Sequence, residues 1–216
     1  MPWGLPGILR FLPSPTIVPK DHVGETLKLV MPKSRWLDVG AGGRRMSVDV
    51  STFDLFAGEG IDYVGDIHNM PFDAAEFDGV FCTGTLEHVQ DPWQAVREIH
   101  RILKPGGIVH IDVPFIQGYH ADPTDFWRFT IDGLKLLCRD FQELESGVQI
   151  GPTCGLVWIA REWADNLFAN RYISNGLLVA VALITAPLRY IDHFAVKSLK
   201  SHEVASAVYF RGRKRV

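Results

Sequence analysis

The chain has 216 residues, 47% of them hydrophobic and 22% charged, with a formal net charge of −3. That composition fits one globular domain with a sizeable core, and it excludes the broad positive field that binding a phosphate backbone requires, so nucleic acid is not an expected partner. The three cysteines, Cys82, Cys138 and Cys154, are odd in number, widely spaced and without a C-x-x-C pair, which excludes a disulfide framework and a zinc knuckle and fits a reducing, cytoplasmic compartment.

Residues 1–20 form an apolar, proline-interrupted arm without the basic region and unbroken apolar stretch of a signal peptide. From residue 21 onward the chain reads as a single α/β domain. Short apolar runs at Arg35–Val39, Ile61–Gly65, Gly79–Thr83 and Ile108–Val113 are strands, with a further strand near Val48–Phe56. Between the last two runs, Asp91 and Pro92 open a helix in which Trp93, Val96, Ile99, Ile102 and Leu103 recur at helical spacing until Pro105-Gly106-Gly107. Strands alternating with helical segments predict a parallel sheet covered on both faces.

The first strand ends in Leu37-Asp38-Val39-Gly40-Ala41-Gly42-Gly43, an acid followed by a glycine turn at the sheet edge where open α/β sheets bind nucleotides. A dinucleotide fingerprint needs a third glycine at position 45, which is Arg45, and Asp38 would crowd a pyrophosphate. A nicotinamide-dependent oxidoreductase is therefore the weaker alternative, and a cationic ligand suits the acid better.

Further blocks follow in order: Gly65-Asp66 with Met70-Pro71-Phe72, then Phe77-Asp78-Gly79-Val80, Leu86-Glu87-His88-Val89, and Arg101-Ile102-Leu103-Lys104-Pro105-Gly106-Gly107. Together with the glycine turn they resemble the class I S-adenosylmethionine-dependent methyltransferases of the type 11-like group, over roughly Arg35 to Val113. The resemblance implies a doubly wound, Rossmann-like, mostly parallel seven-stranded sheet with an antiparallel last strand. It also implies S-adenosylmethionine as cofactor and methyl transfer as the activity.

Carried onto matching positions, the resemblance implies that Gly40, Ala41 and Gly42 face the methionine part of the cofactor while Asp38 orients its amino group. An acid after the second strand would accept the ribose hydroxyls. Asp49 and Asp54 compete for that role, and the wider spacing from Asp38 favours Asp54. Either choice leaves little or no helix after the glycine turn. Asp66 resembles the acid that accepts the adenine amino group, with Ile67 beside the ring; a solvated loop aspartate is the competing reading. Thr83 and Leu86 would close over the cofactor. His88 is a candidate base, and Lys104–Gly107 is read as purely structural.

The segment PFIQGYHADPTDFWRFT, from Pro114, matches a string found in a subset of the same family and is expected to form the acceptor surface, with Tyr119, Trp127 and Arg128 as substrate contacts. His120 would accept a proton, Asp125 would orient it, and Arg128 would bind an anionic group; the competing reading ties Arg128 to Asp125 inside the loop. His120, Asp122 and Asp125 make no tight ligand pattern, so no metal is expected.

Strands at Phe141–Ile150 and Val204–Phe210 close the sheet, and 153–200 forms a helical insertion between them. The apolar run 172–188 is short for a membrane span, since about 20 residues are needed. With the arm Trp3–Leu12 and the basic end RGRKRV it would make a peripheral membrane patch serving a small-molecule or lipid-like acceptor. A helical cap on the core, or a homodimer contact, is the favoured competing reading of that run. A non-catalytic cofactor-binding or membrane-adaptor protein is the third functional possibility.

Overall fold

The computed structural model describes residues 12–216; most of the apolar arm expected at Trp3–Leu12 lies outside the described residues. Seven strands form one sheet in the order β3-β2-β1-β4-β5-β7-β6. β1 (Trp36–Val39), β2 (Val50–Asp54), β3 (Tyr63–Val64), β4 (Phe77–Thr83) and β5 (Leu103–Pro114) pair in parallel. β7 (Ala207–Lys214) runs antiparallel to β5 and to β6 (Phe141–Ile150).

β1 is buried at every position, as a central strand covered on both faces must be, and it therefore shows no alternation of polar and apolar residues. Strand order reverses at β1, between β2 and β4, and this opens a crevice at the carboxyl edge of the sheet.

One face packs against α2 (Pro92–Ile102) and α3 (Ile131–Leu137) through Ile99, Ile102, Leu134, Val80 and Val109. On the other, Trp36, Val50 and Phe81 meet Val23 and Leu27 of α1 (His22–Leu27). Gly79 makes this possible, because a Cβ there would stand 2.2 Å from the Trp36 ring.

α2 starts as expected, with the Asp91 carboxylate accepting the Gln94 N–H at 2.9 Å and Pro92 at the first turn. It ends at Ile102; Leu103 already pairs with Phe77, and the proline-glycine segment forms an irregular start to β5 instead of a free turn. Trp93, expected in the core, is largely exposed and packs edge-on against Trp127 at 5.7 Å. The chain passes from the glycine turn to β2 without a helix, which shortens the first crossover to a loop. β7 begins three residues later than expected because Ser201–Val204 forms a 3-10 turn.

The insertion is a helical hairpin. α4 (Pro152–Asn166) leaves the sheet and α5 (Arg171–Thr185) returns beside it, followed by a 3-10 segment and α6 (Asp192–Ala195). The fully buried carboxylate of Asp192 accepts the N–H groups of Thr153 and Cys154, both at 2.8 Å, so the end of the hairpin caps its own beginning. Arg161 of α4 ties the pair by donating to the Ala182 carbonyl at 3.2 Å and to the Pro13 carbonyl at 2.6 Å.

Only Ser174, Leu178 and Ala182 of α5 are buried, a single stripe at four-residue spacing. The helical stretch runs on to Ala195, 25 residues with a mean hydropathy of 1.4 over an apolar window that is only 17% buried. It is thus longer than the sequence pattern indicated: the 3-10 segment carries the helix past Pro187, and among the described residues the face away from α4 is largely exposed.

Candidate cofactor and acceptor site

Five segments at the carboxyl edge line a cavity of about 510 Å³. The turn after β1 contributes Gly40, Gly42 and Gly43, the segment after β2 Asp54 and Phe56, and the segment after β3 Asp66, Ile67 and His68. Gly84, Thr85, His88 and Val89 follow β4, and Asp122 with Pro123 comes from the loop after β5.

Gly40 has φ +74°, and a Cβ on it would lie 2.2 Å from the Thr85 hydroxyl oxygen, so no other residue fits that turn. Gly42, at φ +57°, donates its N–H to Asp54 Oδ2 at 2.8 Å, and Phe56 N–H donates to Asp54 Oδ1 at 3.1 Å. Asp54 therefore stands in the cavity wall. Asp49 is exposed ahead of β2 and takes no part in it.

Asp38 is fully buried beneath the turn, with no hydrogen-bond partner for either carboxylate oxygen. Burial pushes its pKa up to about 7, partly offset by the Arg44 guanidinium 3.7 Å away, too far for a hydrogen bond. Arg44 itself donates to Thr83 Oγ1 at 2.6 Å. A buried carboxylate beside a glycine turn, with one distant ion pair and no hydrogen bond, suits a cationic donor.

Asp66 caps the short turn Ile67–Asn69 and accepts both the His68 N–H and the His68 ring nitrogen, at 2.9 and 2.6 Å; the backbone bond first, then the ring, hold its carboxyl below the usual range. It is exposed yet lines the cavity. Ala41, Thr83 and Leu86 do not reach the wall. Ala41 and Thr83 are buried behind it, and Leu86 turns into the core, leaving Gly84 and Thr85 to form that side.

The loop after β5 is fastened onto the turn after β4. Phe126 and Trp127 donate their N–H groups to the Glu87 carbonyl at 2.7 and 3.2 Å, and the Trp127 indole donates to the Val89 carbonyl at 2.9 Å. Arg128 forms a fork on Asp125 at 2.5 and 2.6 Å and gives its other donors to the carbonyls of Gln117, Gly118 and Trp127. It is a staple of the loop, not a receiver of an anionic acceptor. Tyr119 is exposed at the loop surface.

This fastening brings His120 and His88 together, with ring centroids 5.4 Å apart. Asp125 accepts the His120 backbone N–H at 2.8 Å, whereas its carboxylate is 3.9 Å from the His120 ring. The ring is oriented by the Gly118 carbonyl, 2.9 Å from Nδ1, and its Nε2 faces Glu87 Oε1 at 3.7 Å. Burial acts to lower the His120 pKa, but the contacts with Glu87 and Gly118 outweigh it and leave it raised.

Glu87 is a site residue that the sequence did not single out. It sits beside His88 in the chain, but its partner His120 is brought to it only by the fold. Phe56, His68, Thr85 and the cavity-lining pair Asp122-Pro123 were likewise not foreseen. The nearest signal was the proximity of Asp122 to His120 in the loop motif.

A methyltransferase-domain family model matches residues 54–111, the stretch from the end of β2 into β5. This match, within the fold described above, supports the resemblance to the class I S-adenosylmethionine-dependent methyltransferases. It is 40% identical over 79 residues to demethylmenaquinone methyltransferase of Staphylococcus epidermidis, covering 33% of each chain. It is 30% identical over 94 residues to tRNA U34 carboxymethyltransferase of Campylobacter curvus, covering 36% of this chain and 32% of that one. The chain thus spans about a third of the length of these curated relatives. Its fold is similar to that of a Haemonchus contortus phosphoethanolamine N-methyltransferase solved with S-adenosylmethionine, with a TM-score of 0.54 and 19% identity over 88% of this chain and 51% of that one. S-adenosylmethionine is the family's cofactor. The Asp38 carboxylate, which accepts no hydrogen bond, and the glycine-walled cavity suit its ammonium and its nucleoside.

Proposed function

We propose that this chain transfers the methyl group of S-adenosylmethionine to a small, apolar acceptor of quinone-like or lipid-like character, taken from a membrane surface. The observation that carries the first half is the cavity at the strand-order reversal. Asp54, pinned by the Gly42 N–H, supplies a carboxylate for two ribose hydroxyls, and Asp66 and Ile67 stand beyond it for the adenine. Asp38 offers the charge that a sulfonium amino acid needs nearby.

The acceptor would enter at the loop after β5, where Asp122 and Pro123 complete the cavity. Transfer forms a bond from the acceptor's electron pair to the methyl carbon while the carbon–sulfur pair returns to sulfur. Holding the reactants in line supplies about 7 to 11 kcal/mol of the barrier. A hydroxyl acceptor also loses a proton, and the Glu87, His88 and His120 group lies beside the entry to receive it.

The membrane half of the proposal rests on the hairpin. Leu167, Phe168, Tyr172 and Ile173 are exposed at its tip, with Leu183 and Ile184 on the bare side of α5. Because α5 packs along α4 and its end returns to cap α4, the hairpin would lie in the surface layer and not cross it. Arg171, Lys197 and Lys200 flank the apolar stretch and suit anionic headgroups. Of the basic end, by contrast, Arg211 pairs with Glu145 and Lys214 donates to the His100 and Leu103 carbonyls, so those residues serve the sheet and not a membrane patch. The similarity to demethylmenaquinone methyltransferase supports this acceptor class, and the net charge of −3 argues against the tRNA of the other relative.

The test is calorimetric titration of the whole chain with S-adenosylhomocysteine and, separately, with NAD. Binding of the first and silence from the second is expected; the reverse would return the chain to the oxidoreductases. Binding without turnover on any quinone, phenol or lipid acceptor would instead favour a cofactor-binding adaptor.

A further inference from the structure

The cluster of Glu87, His88 and His120 has a geometry that proton transfer alone does not require. Glu87 Oε1 lies 3.8 Å from His88 Nε2 and 3.7 Å from His120 Nε2, and one ligand atom from each of the three falls within 4.8 Å of the others. We propose that these three side chains bind a divalent first-row transition ion at the edge of the cofactor cavity, with an open coordination position toward the acceptor. Two imidazoles and one carboxylate suit such ions and leave positions for a substrate oxygen. Closing the ligand atoms by a few tenths of an ångström brings them to metal–ligand distances of about 2.0 to 2.2 Å.

Two further observations point the same way. The Nδ1 atoms of both histidines face backbone carbonyls, His88 that of Thr124 at 2.5 Å and His120 that of Gly118 at 2.9 Å. Carbonyls so placed hold the proton on Nδ1 and turn Nε2 toward the cluster, which is the arrangement of metal-bound histidines. The Arg128 guanidinium, with its charge held by Asp125, stands 3.2 Å from His120 Nδ1 and, being a donor only, adds nothing to this arrangement. Independently, the Glu87 side chain is only 3% exposed and its Oε2 has no hydrogen-bond partner. A buried carboxylate left half-satisfied between two imidazoles is explained by a cation.

His88 lines the cavity while Glu87 and His120 lie buried behind it, so the open position faces the space an acceptor would occupy. There the ion would hold the acceptor oxygen and favour loss of its proton by coordination. The binding site stands on its own geometry; only this use of it rests on the methyl-transfer reading.

The experiment is competition between the whole apoprotein and a chromophoric chelator for Zn²⁺, with Co²⁺ absorption as a second readout. Wild type is expected to take up one equivalent and to give visible Co²⁺ bands. His88→Ala and Glu87→Gln should weaken binding about tenfold or more. His22→Ala, in the other group of potential ligands formed with Glu25 and Glu145, should leave it unchanged. No uptake by wild type, or uptake lost only in His22→Ala, overturns the proposal. S-adenosylhomocysteine titration of the same preparations confirms that the variants are folded and separates loss of the metal site from failure of the cofactor reading.

Discussion

Asp54 accepts the backbone N–H of Gly42 at 2.8 Å, joining the end of β2 to the glycine turn after β1. The bond holds the carboxylate against the cavity and fixes the turn that forms the cavity floor. Asp54→Ala is expected to weaken S-adenosylhomocysteine binding by about 1 to 3 kcal/mol through lost hydrogen bonds. Asp49→Ala, exposed and off the cavity wall, should bind as wild type. Calorimetry on both decides the ribose contact, and the opposite pattern moves it to Asp49.

Asp38 makes cofactor binding and stability depend on pH in opposite directions. Its folded-state pKa, raised by burial to about 7, exceeds the ordinary value of 3.8. Between those values the native state holds a proton that the unfolded state has lost, so this group's contribution to stability falls as pH rises from about 4 to 7, by at most about 1.4 kcal/mol per unit. Cationic S-adenosylmethionine prefers the ionised form, so affinity should increase through neutral pH. Asp38→Asn should flatten both trends relative to wild type, measured by urea denaturation and by calorimetry at several pH values. Parallel wild-type and variant curves would show that Asp38 does not titrate in this range.

The Arg128–Asp125 fork carries the shape of the acceptor loop. Asp125 is 2% exposed, and removing its partner leaves a buried charge. Arg128→Ala should therefore destabilise the protein by on the order of 3 kcal/mol. Urea unfolding measures this, and a variant of unchanged stability with a raised KM would restore Arg128 as an acceptor contact.

The hairpin tip is expected to drive membrane association. Phe168→Asp combined with Tyr172→Asp places charge on two exposed apolar positions without touching the buried stripe of α5. Sedimentation with anionic vesicles should fall sharply in the variant while thermal stability stays within about 0.5 kcal/mol. Wild type should pellet less at high salt. A wild type that does not pellet but elutes at twice the chain mass would make the hairpin a contact between copies.

Much of the cofactor half was legible because its determinants are local. The acid and glycines of residues 38–42 are contiguous, Asp54 ends β2, Asp66 follows β3 by two residues, and Asp91 with Pro92 marks the start of α2. Strand burial is written in runs of apolar residues, and the absence of a helix after the glycine turn followed from the short distance to β2. Motif position did not tell which way a side chain turns. Ala41, Thr83 and Leu86 belong to the expected blocks, but they point into the interior, where β4 and its turn pack on the core.

The acceptor half depended on contacts between distant segments. The sequence determined that residues 114–130 carry histidines, acids and an arginine, but whether Arg128 meets a substrate or Asp125 depends on the geometry of a closed loop. His120 and Glu87 are far apart in the chain, and hydrogen bonds between their segments, among them those from Phe126 and Trp127 to the Glu87 carbonyl, bring their side chains together. The apolar stretch after Arg171 was visible in composition, yet its exposure was decided by the capping of α4 by Asp192, which folds the insertion back on itself and leaves one face of α5 exposed among the described residues. Local chemistry therefore sufficed to pick out Gly40, Gly42, Asp54, Asp66 and Ile67, which line the cavity. The acceptor site and the hairpin required tertiary structure because each is made of groups that the chain keeps apart and packing brings together.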